Sequence, residues 1–305
     1  MESARTPRIL LVTGLWPTPD LPSAGIFVKE RVRGLDGFTI IGPDRYDVPM
    51  PWRYLKLAWQ AVTKRGRFDG VEAHVLFPTG LIGLLVARLR GIPLVVYVHG
   101  AEVTTTAHEN RVYRWLASLV ARSADAVVVN SAWTAGQTEV LRPRRRPIII
   151  PPGVDLTRFR PSPRPRERRV LYVGGDRLRK GYDIASELAH TVVGPGLTEI
   201  PPERMPALFA EHDVLLMPSR EEWFGVAAAE AIASGRWVVA AAVGGLPEVV
   251  TDGVNGTLVS DGAFDSALRA VPPYDPVTVA ATALRFGVTL EQESLSQVWS
   301  DVFAA

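Results

Sequence analysis

Short apolar runs alternate along this chain with longer stretches whose apolar positions recur every three or four residues. The runs at 8–14, 38–43, 71–78, 93–100, 124–131 and 148–155 predict buried strands, most of them closed by Gly, Pro or a small polar residue. Between them lie a helix opening at 24–30, an amphipathic segment at 52–64, an apolar helix at 81–89 and a helix capped by Ser131. A second series follows, with strands at 170–173, 191–196, 214–217, 238–243 and 257–259 and helices at 183–190, 202–209, 226–234 and 290–303. Near-continuous Val and Leu runs joined by helical crossovers imply parallel sheets covered on both faces, an α/β class. The Pro- and Arg-rich stretch 159–165 lies between the two series and carries no core of its own, so a boundary is expected near 155–167. The expected domains are 1–157 and 166–288, with a last helical segment at 289–305.

Composition agrees with two domains and removes several chemistries. A chain of 305 residues, 47% hydrophobic and 22% charged, can bury two ordinary cores. It has no Cys, which excludes disulfides, thiolate metal sites and a cysteine nucleophile, and its five His do not cluster at zinc spacings. Neither a Gly-x-Gly-x-x-Gly fingerprint nor a Walker loop occurs, so hydride transfer and nucleotide hydrolysis lose their main support. The first eight residues lack the apolar core of a signal peptide and no apolar run reaches the ~20 residues that span a bilayer, so a cytoplasmic protein is expected.

The net charge of +2 conceals Arg clusters at 142–146 and 164–169, which read as solvated linker, with an anionic membrane or phosphate-rich substrate as the alternative. Segment 52–64 poses a similar choice. Its Trp52, Leu55, Trp59 and Val62 fall near helical spacing ahead of Lys64, Arg65 and Arg67, and such a helix either packs these residues in a core, the expectation, or rests them on a membrane interface.

The densest chemistry lies at 220–235. The strand at 214–217 ends in Pro218 and delivers a loop in which Glu222 precedes Phe224 and Gly225, after which an alanine-rich helix carries Glu230 and stops at Gly235. Six residues of helix lift Glu230 roughly 9 Å above Phe224, with Glu222 before the first turn. Two acids so placed suit hydroxyls at opposite ends of a long ligand, with the bare amides of a helix start between them to attract an anion. The plain alternative is a solvated acid ahead of an ordinary amphipathic helix. His99 ends its strand ahead of Gly100, where ligands bind in a doubly wound sheet, and residues 174–181 form a glycine-rich, cationic loop with Arg177, Arg179 and Lys180. Gly25 sits where backbone could approach a ligand or simply open a helix, and His74 reads as structural, with acceptor-site lining as the alternative.

Glu222-Trp-Phe224-Gly225 and Glu230 resemble the Glu-x7-Glu signature of retaining glycosyltransferases of the GT-B fold, family 4. His99-Gly-Ala-Glu102 is similar to that family's His-Gly-x-Asp/Glu element, Pro152-Gly-Val-Asp155 with Phe159 to its hinge, and Lys180-Gly181 to the Lys-Gly of its diphosphate loop. The resemblance covers nearly the whole chain. It implies two Rossmann-like domains with a cleft between them, a last helix that crosses back to the first domain, and a nucleotide-diphosphate sugar as substrate, with no cofactor and no metal. In it Glu230 holds the ribose, Glu222 a sugar hydroxyl, the Phe224-Gly225 backbone lies against sugar and phosphates, the turn at Gly25 faces the phosphates, and His99 lies beside the sugar. Lys180 neutralises the departing diphosphate. The family's arginine at the end of the preceding strand is a glycine here, so Arg177 or Arg179 must substitute. The connection 196–202 is too short for the helix and strand that the family normally carries, which shortens the second domain and leaves 198–200 to line the base pocket.

The reading is therefore a retaining glycosyltransferase acting on a hydroxyl acceptor, whether glycan, lipid-linked or small molecule, with no nucleic-acid partner and at most weak contact with the inner membrane face. A sugar-nucleotide epimerase on the same fold and a catalytically silent nucleotide-binding subunit remain the alternatives.

Overall fold

The computed structural model describes residues 6–106 and 110–305, so the first five positions of the amino-terminal segment and His108 lie outside the described residues. Two compact units are present, Met1–Pro151 with Gln292–Ala305, and Pro152–Glu291.

The first unit holds a six-stranded parallel sheet of order β2-β1-β3-β4-β5-β6. Its strands are β1 (Ile9–Thr13), β2 (Phe38–Ile41), β3 (Gly70–His74), β4 (Leu94–Val98), β5 (Ala126–Val129) and β6 (Ile148–Ile149), and its helices α1 (Ile26–Val32), α2 (Met50–Thr63), α3 (Leu81–Arg90), α4 (Arg111–Ser123) and α5 (Ala132–Thr138). Every residue of β1, β3, β4 and β5 is buried, as strands covered on both faces require, and in β3 this includes the polar Glu72 and His74. Helices α2, α3 and α4 share a core on one face. On the other, α1 packs over Leu11, and Leu295, Val298 and Trp299 of the last helix cover Ile9, Val95, Tyr97 and Val128. Gly70 makes room for this helix, since a Cβ there would sit 2.4 Å from the Trp299 ring.

The second unit holds β7 (Val170–Val173), β8 (Thr191–Val193), β9 (Val214–Met217), β10 (Trp237–Ala241) and β11 (Gly256–Val259), all parallel and ordered β11-β10-β9-β7-β8. Around it run α6 (Tyr182–Leu188), α7 (Met205–Ala210), α8 (Val226–Ala233), α9 (Leu246–Val249), α10 (Phe264–Arg269) and α11 (Pro276–Ala281), while the last helix, α12 (Val288–Ala304), has only its first turn in this unit. The stretch read as a coreless linker packs into this unit: Phe159 is buried against Phe209, and Val154 exchanges backbone hydrogen bonds with Phe286 and Val288. The first turn of α12 is tied to it as well, where Glu291 accepts from the Gly153 amide at 2.8 Å. Burial of an apolar anchor, which linker composition does not reveal, moves the division to Pro151–Pro152.

Each sheet reverses its strand order once, between β1 and β3 in the first unit and between β7 and β9 in the second. Loops leaving the carboxyl ends of strands at such a reversal part to opposite faces and open a crevice. Residues 174–181 follow β7 and residues 218–225 follow β9, so the topology alone brings the cationic loop beside Glu222.

Helix α2 departs from expectation. Leu57 and Ala61 form its inner stripe, and at 100° per residue Trp52, Leu55 and Trp59 fall on the opposite side, where they are 68%, 59% and 71% exposed. The aromatic face points to solvent and the core is met by the smaller stripe.

Candidate functional site

In the first unit, strand alternation puts Glu72 and His74 on one side of β3, and His99 follows Tyr97 on the neighbouring β4 with the same facing. Burial then forces these polar groups to satisfy one another. His74 Nδ1 lies 2.8 Å from His99 Nε2, and His74 Nε2 lies 3.0 Å from Glu72 Oε1. Arg31, buried on α1, bonds Glu72 and reaches His74 Nε2 as well, its guanidinium 4.7 Å above the Tyr97 ring. Trp299 donates to the second Glu72 oxygen at 3.3 Å. The His99 backbone is clamped at both ends, its N–H donating to Glu102 Oε1 at 3.0 Å and its carbonyl accepting from Asn130 Nδ2 at 2.9 Å. Phe27 and Tyr97 hold the ring, each with centroids 4.9 Å away.

Burial, with Arg31 adding to it, lowers the His74 pKa to about 4, and burial with His74 and Arg31 beside it takes His99 well below its ordinary value. Both rings are neutral at neutral pH, so each carries one N–H. If His74 Nε2 donates to Glu72, its Nδ1 accepts from His99 and the remaining His99 nitrogen is an acceptor; if Arg31 donates to His74 Nε2, the protons run the other way and His99 presents a donor. The Arg31–Glu72 balance therefore sets what His99 offers a ligand. The sequence alone reads His74 as structural, with acceptor-site lining as the alternative, and assigns no role to Glu72 or Arg31. The signal was present in Glu-x-His on a strand, whose period of two puts both side chains on one face.

Glu102 of the His-Gly-x-Glu element points inward. Its carboxylate accepts the His99 and Gly100 amides, both at 3.0 Å, so it shapes the turn that carries His99. Burial raises its pKa against the pull of those bonds.

In the second unit, Lys180 Nζ lies 2.6 Å from Glu222 Oε2 at the strand-order reversal. The loops are joined by the Arg179 carbonyl, which accepts from the Arg220 amide at 2.9 Å. The Arg179 guanidinium stacks 4.9 Å from the centre of the Trp223 indole, and its Nη1 is buried with no hydrogen-bond partner among the described residues. Arg177 is exposed. Of the two arginines left open by the sequence, Arg179 is the one held beside Lys180 and Glu222. The Glu222 carbonyl accepts from the Gly245 amide at 2.9 Å, which braces the loop against the turn after β10.

Gly225 opens α8 with φ 101°, and a Cβ there would meet Leu246 at 2.7 Å, so only glycine can begin the helix here. Phe224 is buried against Phe286, which leaves its backbone and not its ring to face a ligand. Glu230 is half-buried one turn into α8. Gly25 has a packing reason of its own, since φ is 61° and a Cβ would sit 2.3 Å from the Leu15 carbonyl. Among the described residues no group of three or more His, Asp or Glu could hold a metal ion.

Residues 11–158 match the family described as Glycosyltransferase Family 4, and residues 156–271 that described as Glycosyl transferases group 1. A D-inositol 3-phosphate glycosyltransferase of Geodermatophilus obscurus is 32% identical over 276 residues, covering 70% of this chain and 61% of its own length. One named D-inositol 3-phosphate glycosyltransferase 1, from Catenulispora acidiphila, is 32% identical, with 77% and 70% covered. The chain thus spans 61% to 70% of the length of these relatives. The fold is also that of the Anabaena protein HepE, solved with UDP and glucose, at a TM-score of 0.77 and 17% identity over 96% of this chain and 99% of that one.

Proposed function

We propose, for a chain that belongs to the group 1 and family 4 glycosyltransferases and has their GT-B fold, that it moves a sugar from a nucleotide diphosphate to a hydroxyl acceptor with retention of anomeric configuration. The observation that carries this reading is the Arg179–Lys180–Glu222 corner, where a buried guanidinium nitrogen lacks a partner next to a cation already committed to a carboxylate. An unsatisfied buried cationic donor is costly, and an anionic group supplied by a ligand removes that cost. A diphosphate has the charge and the oxygens to take Arg179 and draw Lys180 from Glu222. Glu222 is then free to accept from a sugar hydroxyl.

The roles follow from the chemistry of the step. Cleavage of the sugar–phosphate bond leaves negative charge on the diphosphate, which Arg179, Lys180 and the amides at Gly225 stabilise, and the departing phosphate oxygen takes the proton that the acceptor hydroxyl gives up as its oxygen bonds the sugar. In this reading the cations do the work that a metal does elsewhere, and chelation leaves turnover unchanged. Glu230 takes the ribose hydroxyls. His99, neutral and clamped at both backbone ends, positions the sugar through its remaining ring nitrogen and does not serve as a general base, because burial holds its pKa well below the ordinary imidazole value and makes it a weak one. The family resemblance supports both assignments.

Solved relatives of the fold were crystallised with UDP and UDP-glucose, which makes uridine diphosphate sugars the first donors to try. The curated relatives' names add inositol phosphate to the acceptors. The same reading keeps the protein in the cytoplasm, able to rest on the inner membrane face. It is tested by incubating the full chain with a panel of nucleotide sugars and hydroxyl acceptors, D-inositol 3-phosphate among them, and resolving the products. Transfer with retained configuration supports the proposal; an epimerised donor, or nucleotide binding without turnover across the panel, overturns it.

A further inference from the structure

Helices α2, α3 and α4 lie side by side over one face of the first sheet, where Leu57, Ala61, Val86, Ala87, Ala117 and Val120 belong to a single core. Their outer sides are apolar where a surface helix is ordinarily polar. Trp52, Leu55 and Trp59 on α2, Leu89 on α3, and Trp115 and Leu119 on α4 are between 41% and 71% exposed. A second observation is independent of the first. Asp and Glu make up 32 of the 305 residues, yet none occurs on these three helices, while Arg53, Lys56, Arg88, Arg111, Arg114 and Arg122 do. The basic turn 64–67 follows α2 and is held to α3 by Arg90, which donates to the Gly66 carbonyl at 3.1 Å. The carboxylates beside α2, Asp44 and Asp47, are each paired with a cation, Lys56 and Arg45 respectively.

We propose that this three-helix face docks on an anionic lipid bilayer. Large aliphatic and indole side chains on the outer ridge suit the acyl and headgroup boundary, where Trp is favoured. Lys and Arg between them, on helices that carry no carboxylate of their own and with only Lys56 paired to a neighbouring Asp44, complement anionic headgroups. A nucleic acid would use the cations and leave the exposed Leu and Trp side chains in water. The face belongs to the first unit alone, so the inference deepens the inner-membrane element of the reading above without depending on the transfer reaction.

The test is cosedimentation of the full chain with vesicles of phosphatidylcholine alone and of phosphatidylcholine mixed with phosphatidylglycerol, at low and at high salt. Binding to the mixed vesicles at low salt is expected to exceed binding to neutral ones by about tenfold or more, and to weaken as salt rises. The triple variant W52S/W59S/W115S, altered only at exposed positions, is expected to keep its melting temperature and lose about tenfold or more of vesicle binding. A second variant, K64E/R65E/R67E, separates charge from insertion and is expected to lose the preference for phosphatidylglycerol. Equal binding to both vesicle types, no binding to either, undiminished binding by both variants, or a wild-type dimer that the Trp variant dissolves would each overturn the proposal. No donor sugar enters the assay, so its failure leaves the transfer reading standing, and the reverse also holds.

Discussion

Two arginines divide the molecule's chemistry between them. Arg31 and Arg179 each bring a guanidinium onto an aromatic face, Tyr97 in one unit and Trp223 in the other. Arg31 is paired with a buried carboxylate, with Glu72 and His74 within bonding reach and Trp299 closing the far side of Glu72, and only its Nε lacks a partner among the described residues. Arg179 leaves a buried nitrogen unbonded beside the Lys180–Glu222 pair. A charge whose counter-ion is buried beside it holds a structure. One whose partner must come from outside marks a binding site. The first unit accordingly offers a fixed, neutral imidazole, and the second an uncompensated positive corner.

The sharpest way to break this comparison is to make the same substitution twice. Arg31→Met strands Glu72 without its cation in a dry interior, and the expected loss of folding stability is about 3–5 kcal/mol. Arg179→Met removes an unsatisfied donor and is expected to leave stability unchanged or slightly raised while nucleotide diphosphate binding drops. Chemical denaturation of both variants, with calorimetry of UDP, reads the contrast, and equal destabilisation would erase the distinction between the two arginines. Next in size is Lys180→Ala, expected to lower turnover roughly a hundredfold to a thousandfold, the usual cost of losing one donor aimed at developing charge. Wild-type turnover in that variant would remove the loop from the chemistry.

Acid sharpens the other side. The unfolded chain takes up a proton at His74 near pH 6.5, whereas the folded ring resists until about pH 4. Folding stability contributed by this site is therefore intact above the unfolded value and falls as pH drops through that interval, by roughly 3 kcal/mol in all. His99 adds to the slope in the same direction, and Glu102, with its raised pKa, opposes it at the acid end. Urea titrations across the interval should show a shallower slope for His74→Asn than for wild type. The smallest expected effect concerns the base. β8 is a three-residue edge strand, and only a short connection separates it from α7, so in the proposed reading little wall would surround the base of a nucleotide held by the second unit. Uridine and guanosine diphosphates should bind within about tenfold of each other, or roughly 1.4 kcal/mol. A thousandfold preference in competitive titration would show that the residues at 198–200 read the base edge after all.

The two parallel sheets, most of their elements and the acidic loop ahead of α8 were legible in the chain alone. Apolar runs of strand length with helical crossovers leave few other architectures open, because a parallel strand buried on both faces is largely apolar. Glu222, Gly225 and Glu230 could be found in one dimension, being set by a turn and a helix within nine residues. Contacts between distant segments could not. Nothing local ties Arg31 to Glu72 or Trp299, and nothing in the spacing of Arg177 and Arg179 says which of them turns inward onto Trp223. Helix α2 shows the limit most plainly: its amphipathic pattern announces two faces, yet which face meets the sheet depends on the room above β1 and β2. The small stripe of Leu57 and Ala61 fits there, and the tryptophans are left outside. Local pattern determines what each element is, because hydrogen bonding and burial act over a few residues. The pairing of buried charges and the choice of outward face are decided by tertiary packing, because they depend on neighbours that the sequence separates by tens to hundreds of positions.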